Sequence, residues 1–400
     1  MRVTGPATEG GSASGEVYLE RARTLGPRLA AAAVEIERRR ELPEPIVEAL
    51  AAAGLFRLLL PRSLDGGELA PAAYVGVIEE IARHDASVAW CLGQACGCTM
   101  TAAHLKPDVA HKIFAHPRGI LAWGPPGPGE ARIAPGGYNL SGTWSFASGS
   151  HHATWLGAHV AVFAANGAPR LRSDGSPVFR TLLFPKSRAA MADTWHVVGL
   201  RGTGSDTYTV SGLFVPEDYT VERGAEAKPY QTGLLYAFSS SNMYSVGFAG
   251  VALGIAQGVF DAFVELARDK IPRGARGTLR ENNVVQSQVA QCEARLRSSR
   301  AFIHETLEEM WETAERKGEF DYDQHVRLRL STTWAIHQAR DVVATVYGAA
   351  GSTAVFNENP FERRLRDIHA GTQQGQGRPI HFETVGQVLL GLPPQGRMFR

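Results

Sequence analysis

The sequence has few of the features that mark nucleic-acid-binding, membrane or secreted proteins. Its 41 lysine and arginine residues balance 40 aspartate and glutamate residues, which argues against a basic surface for nucleic acid or an anionic membrane. No apolar run approaches the ~18 residues that a membrane-spanning helix needs, so we predict no such helix. Residues 1 to 16 lack the apolar segment of a signal peptide, and we predict that they form a disordered leader.

Cysteine is also scarce, with four in 400 residues. Three of them, Cys91, Cys96 and Cys98, lie in one apolar stretch and have no second pair of ligands at zinc-binding spacing. We therefore predict no metal site. Buried, reduced thiols are the expected alternative, and they fit a cytoplasmic protein.

Hydrophobic periodicity divides the rest of the chain into three regions. Residues 17 to 116 show helical patterns, and 86 to 103 is apolar all round, as a buried helix is. Residues 117 to 225 contain short β-rich segments, one of them at 194 to 200, and predict a small barrel or sandwich. Residues 226 to 400 predict a four-helix bundle. The expected fold is mainly α-helical with a β insert.

Four stretches, in this order, resemble the acyl-CoA dehydrogenase superfamily. They are IEEIARHDASVAWCLG (78–93), WSFASGSHHATW (144–155), WHVVGLRGTGSDTYTVSGLFVPED (195–218) and RDIHAGTQQ (366–374). The resemblance covers about residues 20 to 395 and points to the flavin-dependent monooxygenase branch, the oxygenase components of two-component aromatic hydroxylases. It implies an N-terminal helical domain, a middle β domain, a C-terminal four-helix bundle and a homotetramer built as a dimer of dimers.

The same motifs depart from the dehydrogenases at their catalytic base. Those enzymes use a glutamate in a Y-E-G-T context after an Arg-Asp motif, whereas no carboxylate lies between Asp367 and Glu383 here. His369 stands after the Arg-Asp pair instead, as it does in the hydroxylases. Loss of a base would cost roughly 10²–10⁴ in rate, which disfavours acyl-CoA dehydrogenation.

The resemblance implies a specific chemistry. FADH2 or FMNH2 arrives from a separate NAD(P)H:flavin reductase and reacts with O2 to give a C4a-hydroperoxide. The oxygen is then transferred to a phenolic, indolic or polycyclic aromatic substrate. The sequence lacks the βαβ fingerprint of a nicotinamide site, which agrees with an external reductase.

His369 and Ser148 are the predicted catalytic residues. An imidazole exchanges protons near neutral pH, so His369 can hydrogen-bond a peroxide or deprotonate a phenol or indole; it could also merely neutralise helix-end carbonyls. Trp144, Phe146 and Ser148 alternate along a predicted strand and would share one face. The resemblance places that face beside the flavin, where the Ser148 hydroxyl or a neighbouring amide could reach N5, although a strand that buries its aromatics in the core would show the same pattern.

Further cofactor and substrate contacts follow from the resemblance. The expected cofactor-binding residues also include Trp123 and Gly124 in a rigid turn, Arg273 and Gln286 toward the phosphates or adenine of a neighbouring subunit's flavin, and Gly348, Gly351 and Thr372. Trp90 and Gln94 lie four residues apart on one helix face and are expected to contact substrate. His84, His152 and Ser205 complete the predicted substrate site.

Three other functions remain open from the sequence. One is an acyl-CoA dehydrogenase with a displaced base such as Glu383. Another is N-oxygenation of an amine or amino sugar, which would differ only in the pocket. The third is a non-catalytic binding protein that retains the fold and has no affinity for flavin.

Overall fold

The computed structural model describes residues 9 to 222 and 229 to 394, with side chains from Gly15 onward. The first part of the chain is helical, as predicted. Asp85 separates two of its helices: its backbone is extended and its side chain accepts a hydrogen bond from the Val88 N–H, which caps the second helix. The helices are α1 (Glu9–Arg39), α2 (Glu44–Ala52), α3 (Pro71–His84), α4 (Ala86–Thr99) and α5 (Pro107–Phe114).

Helix α1 begins inside the predicted disordered leader. It starts at Glu9, so residues 9 to 16 are helical and that part of the prediction is wrong. Gly15 lies so close to α3 that a Cβ there would come within 2.7 Å of the Ala73 Cβ. At this position a glycine therefore allows the two helices to approach closely. Residues 1 to 8 of the predicted leader lie outside the described residues.

The middle region forms one mixed sheet of eight strands. Its order is β6-β7-β3-β2-β4-β5-β8, and β1 pairs with β4 in parallel. The strands are β1 (Leu121–Ala122), β2 (Gly129–Ala134), β3 (Gly137–Trp144), β4 (Trp155–Phe163), β5 (Phe179–Pro185), β6 (Ala190–Ala192), β7 (Thr207–Pro216) and β8 (Thr220–Glu222).

The strand predicted at residues 194 to 200 is absent from this sheet. The Asp206 Oδ1 accepts hydrogen bonds from the backbone N–H groups of Thr194 and Trp195, each at 2.8 Å. These donors are satisfied by a carboxylate and have no need of a neighbouring strand. The segment is a loop, and its apolar residues Trp195 and Leu200 turn toward a cavity.

The C-terminal region is helical as predicted. Its central helix, α6, is long and apolar enough to cross a membrane by composition, although no unbroken apolar run marks it. In the structure 78% of its apolar window is buried, and it packs against α3, α4 and α8 as a core helix. The helices are α6 (Ser240–Asp269), α7 (Asn283–Lys317), α8 (Tyr322–Ala350), α9 (Phe361–Thr372) and α10 (Ile380–Leu389).

Candidate functional site

A cavity of about 550 Å³ lies where helices α4, α6 and α9 meet the sheet. This volume is within the ordinary range for a small-molecule site. Its walls are rich in aromatic rings, which favours a flat ligand. The aromatic residues that line it are Trp90, Trp123, Phe146, Trp195, Tyr244 and Phe248.

Trp90 joins the helical wall of the cavity to the β wall. Its indole stacks on Phe248 of α6 with ring centroids 4.2 Å apart, and its Nε1–H donates to the Ser148 Oγ at 3.1 Å. Ser148 is also 2.7 Å from the Ser205 Oγ. The predicted residues Trp90, Ser148 and Ser205, far apart in sequence, therefore share one wall, with Gln94 one helical turn away.

Two residues of this wall have left-handed backbone conformations. Phe146 has φ +61° and Leu200 has φ +52°, which is uncommon for residues other than glycine and costs energy. The segment that follows Phe146 is bonded to the segment that follows Leu200, since the N–H groups of Ala147 and Gly149 donate to the carbonyls of Asp206 and Thr203. Strain held in place by surrounding bonds at a cavity is typical of a functional site.

The predicted turn of Trp123 and Gly124 borders the same cavity. A Cβ at Gly124 would lie 2.0 Å from the Ser145 carbonyl oxygen, so only glycine fits this approach. The Trp123 carbonyl accepts a hydrogen bond from Gln94 Nε2 at 3.2 Å. The two residues line the cavity, and their contact with a flavin stays a prediction.

Trp144 does not share a face with Phe146, contrary to the alternation predicted for this segment. Strand β3 ends at Trp144, and the indole is fully buried and stacks against Tyr208. The left-handed turn at Phe146 then directs that ring outward, where it is 61% exposed and meets Trp195 edge-on. Trp144 is a core residue that does not line the cavity, whereas Phe146 does.

His369 is exposed on α9 and is not among the residues that line the cavity. Its neighbour Ala370 and Gln373, one turn later, do line it. Residues four apart occupy the same helix face, so His369 lies on the same side of α9 as Gln373, one turn before it. Its role in proton chemistry stays a prediction.

The imidazole that does line the cavity is His159 on β4. It is buried, its Nδ1 is 2.8 Å from the Thr181 Oγ1, and its ring meets the edge of Trp123. Sequence reasoning missed it because one histidine in an apolar strand has no distinguishing pattern. The sequence also gives no sign of four other lining residues, because the elements that carry them converge only in the fold; they are Thr203, Tyr244, Phe248 and Arg378.

Two histidines expected at the substrate site lie away from the cavity. His84, half-buried near the end of α3, is 3.3 Å from Glu80 and packs on α1 at Gly26. His152 is buried against Phe56, and neither ring nitrogen has a hydrogen-bond partner. Burial, together with the positive charges of Lys186 and His151, lowers the pKa of His152 to about 3, so it is a neutral core residue.

The remaining predicted cofactor residues also lie outside the cavity. Thr372 is buried, and its hydroxyl donates to the His369 carbonyl at 2.8 Å, so it serves its own helix. The other four are exposed on the C-terminal helices and their connections; they are Arg273, Gln286, Gly348 and Gly351.

The cavity contains no carboxylate within the described ranges. Arg378 is the one lysine or arginine among the lining residues. Glu383 is exposed on α10 and does not line the cavity. Among the described residues, no cluster of histidine, cysteine and carboxylate side chains could hold a metal ion, and the four cysteines are buried free thiols.

Family models match two parts of the chain. The acyl-CoA dehydrogenase N-terminal domain matches residues 20–109, and the acyl-CoA dehydrogenase C-terminal domain matches residues 246–375. These segments contain α4, α9 and most of α6, the helices that border the cavity.

Relatives that align over nearly the whole chain are flavin-dependent monooxygenases. An indole-3-acetate monooxygenase of Pseudomonas putida is 30% identical over 360 residues, covering 90% of each chain. The oxygenase component of an FADH2-dependent resorcinol hydroxylase of Rhizobium is 28% identical and covers 91% of each chain. Streptomyces XiaF, solved with FADH2 and glycerol, has a TM-score of 0.87 at 23% identity and covers 97% of this chain and 98% of that chain.

Proposed function

The chain belongs to the acyl-CoA dehydrogenase superfamily, in its flavin-dependent monooxygenase branch, and from this we propose that it hydroxylates a phenolic, indolic or polycyclic aromatic substrate. It is the oxygenase component and uses reduced flavin, FADH2 or FMNH2, from a separate reductase. The observation that supports the proposal most directly is the cavity, whose aromatic walls surround the hydrogen-bonded serines Ser148 and Ser205.

The lining residues fit a flavin ring beside a planar substrate. Bound reduced flavin would supply activated oxygen, by the proposed route through a C4a-hydroperoxide. Trp90 and Phe248 offer a flat stacked surface, the Ser148 oxygen faces the ring edge, and the largely apolar walls exclude water. His369, which we place at the cavity margin in the bound state, would take or return the substrate proton.

The lining chemistry also weighs against the alternatives. Acyl-CoA dehydrogenation needs a carboxylate base, and none lines the cavity within the described residues, since Glu383 is exposed elsewhere. Six aromatic residues line the cavity and favour a planar substrate over an amino sugar, alongside polar residues such as Gln94, His159 and Arg378. The function of a binding protein without flavin does not fit a flavin-dependent branch.

We further propose a cytoplasmic homotetramer, a dimer of dimers. Free thiols such as Cys91 persist in the cytoplasm. The C-terminal part of the chain exposes large apolar side chains, among them Leu389 at 73% and Leu390 at 79%, which a second copy would cover. Arg273 and Gln286 would then contact a neighbour's flavin. Light scattering of the purified protein tests the tetramer.

The test of function is an anaerobic titration with reduced FMN and reduced FAD, followed by rapid mixing with O2. Binding of reduced flavin, a transient C4a-adduct absorbance and hydroxylation of a phenol or indole would support the proposal. Tight binding of oxidised FAD that an acyl-CoA bleaches would instead establish a dehydrogenase. Binding of neither flavin would exclude flavin chemistry altogether.

A further inference from the structure

A row of four hydrogen bonds crosses the β wall of the cavity. It starts at the Trp90 Nε1–H, which lies 3.1 Å from the Ser148 Oγ. Ser148 is 2.7 Å from Ser205, and Ser205 is 2.7 Å from the Thr203 Oγ1. The row ends at the Leu200 carbonyl oxygen, 2.8 Å from the Thr203 Oγ1. The three hydroxyl groups belong to buried side chains.

The carbonyl end of the row fixes the direction of the bonds between the hydroxyl groups. An indole N–H can only donate and a carbonyl oxygen can only accept. Thr203 therefore donates its single proton to Leu200, Ser205 donates to Thr203, and Ser148 donates to Ser205. The Ser148 oxygen accepts from Trp90 and has no proton left for the cavity. What it offers a ligand is a lone pair.

The accepting end is held rigidly by the Arg-Asp pair of α9. The Leu200 N–H donates to the Asp367 Oδ1 at 2.6 Å, in a buried position. Gly199 lies against α9 so closely that a Cβ would be 2.1 Å from the Arg366 carbonyl oxygen. The Trp195 Nε1–H also donates to the Leu200 carbonyl at 3.1 Å. These contacts keep the Leu200 oxygen pointed at Thr203.

Flavin changes its hydrogen-bonding character at N5 when it is reduced. Reduced flavin carries an N5–H, which donates, whereas the N5 of oxidised flavin is a bare acceptor. An accepting oxygen at Ser148 pairs with the N5–H of reduced flavin. With oxidised flavin, two lone pairs face each other and no hydrogen bond forms. An unmatched polar group in a dry site is costly.

We propose that this one-directional row makes the site selective for reduced over oxidised flavin, with Thr203 as the positioning residue that sets the direction. The inference rests on the proposed function, because it places the flavin ring edge at Ser148. The selectivity arises without any charged group. It would allow the oxygenase to take up reduced flavin and release it once oxidised.

The decisive variants change the direction of the row while preserving its shape. Thr203→Val removes the hydroxyl but keeps the branched side chain, and the Leu200 carbonyl retains its bond from Trp195. Ser205 and Ser148 can then turn round and donate into the cavity. Thr203→Ser keeps the hydroxyl and is the matched control. Ser205→Ala interrupts the row at a second point and should act in the same direction.

The measurement is the dissociation constant of the same flavin, FMN or FAD, in its oxidised and reduced forms under anaerobic conditions. We expect the wild type and Thr203→Ser to prefer the reduced form. Thr203→Val and Ser205→Ala should reduce the ratio of the two constants about tenfold. Equivalently, the midpoint potential of the bound flavin should fall by about 30 mV.

Two outcomes would overturn the inference. One is a ratio unchanged in both variants, and the other is a loss of affinity that is equal for the two redox forms, which would mean a structural effect alone. If the wild type binds neither form, the proposed function itself fails. If the wild type binds and hydroxylates normally but the variants keep its redox preference, only the direction of the row is refuted.

Discussion

The Asp367 Oδ1 accepts a hydrogen bond from the Leu200 N–H at 2.6 Å. This bond connects the Arg-Asp pair of helix α9 to the loop that forms one wall of the cavity. Leu200 has a left-handed backbone, and the bond helps to hold it there. The motif that resembles the superfamily therefore acts on the site through the backbone of a distant loop.

We expect the acceptor at residue 367 to matter more for stability than its charge. Asp367→Asn keeps an oxygen for the Leu200 N–H, whereas Asp367→Leu leaves that buried N–H unsatisfied. The leucine variant should lose about 1–3 kcal/mol of unfolding free energy relative to the asparagine variant. Urea denaturation at one pH measures the difference. Equal stability of the two variants would show that the bond contributes nothing.

Asp367 should also give stability a pH dependence of unusual sign. Burial, reinforced by the charge of Asp85, raises its pKa from 3.8 to about 7; Arg363 and the Leu200 N–H act in the opposite direction. The folded state therefore binds more protons than the unfolded state between these values. The contribution of Asp367 falls as pH rises from about 4 to 7, by at most about 1.4 kcal/mol per pH unit, and is constant above.

The measurement for this pH dependence is a difference. Unfolding free energies of the wild type and Asp367→Asn are compared from pH 4 to pH 8, because other groups titrate over the same window. The unfolding free energy of the asparagine variant should increase relative to that of the wild type as pH rises to about 7. A constant difference across the range would contradict the raised pKa.

His152 should show the opposite sign. Burial first, then nearby positive charges, lower its pKa from 6.5 to about 3. Between these pH values His152 is protonated in the unfolded chain but neutral in the folded chain, so stability is lost as pH falls from about 6.5 toward 3. His152→Leu should weaken this acid sensitivity and, by removing two unpaired buried nitrogens, add about 1 kcal/mol at pH 7. Thermal unfolding at pH 5 and pH 7 checks both effects.

His369→Ala should lower the hydroxylation rate by about 10²–10⁴ if the histidine moves the substrate proton. Affinity for reduced flavin should stay unchanged, since His369 does not line the cavity wall. His111→Ala, another exposed histidine on a helix, is the matched control and should behave as wild type. Product formation under saturating reduced flavin is the readout. Full activity of His369→Ala would contradict this role and make His159, the imidazole that lines the cavity, the candidate for proton transfer.

Gly199→Ala should loosen the cavity loop. The new methyl group would collide with the Arg366 backbone at 2.1 Å, and backbone cannot move as a side-chain end can, so we expect a loss of about 1–3 kcal/mol. Gly76→Ala is the control, because it lies inside α3 with nothing within 4 Å. That change should add about 0.5–1 kcal/mol. Urea denaturation of both proteins distinguishes a local clash from a general glycine effect.

The sequence by itself determined the fold class and the family. Helical periodicity depends on neighbouring residues, so it predicted the helical regions at 17 to 116 and 226 to 400, which contain long helices such as α7 (Asn283–Lys317). Motifs around Ser148 and Asp367 carried the resemblance. Local patterns also misled: the apolar segment at 194 to 200 is a loop because Asp206 takes the N–H bonds that a strand would need.

Only the tertiary structure decided which side chains face the cavity. Trp144 and Phe146 are two residues apart, yet one is core and the other cavity wall, because a left-handed turn at Phe146 interrupts the alternation. His159, Thr203 and Tyr244 carry no local mark of function. The direction of the hydrogen bonds from Trp90 to Leu200 depends on atoms from three segments. No short stretch of sequence encodes it, because it arises when those segments pack together.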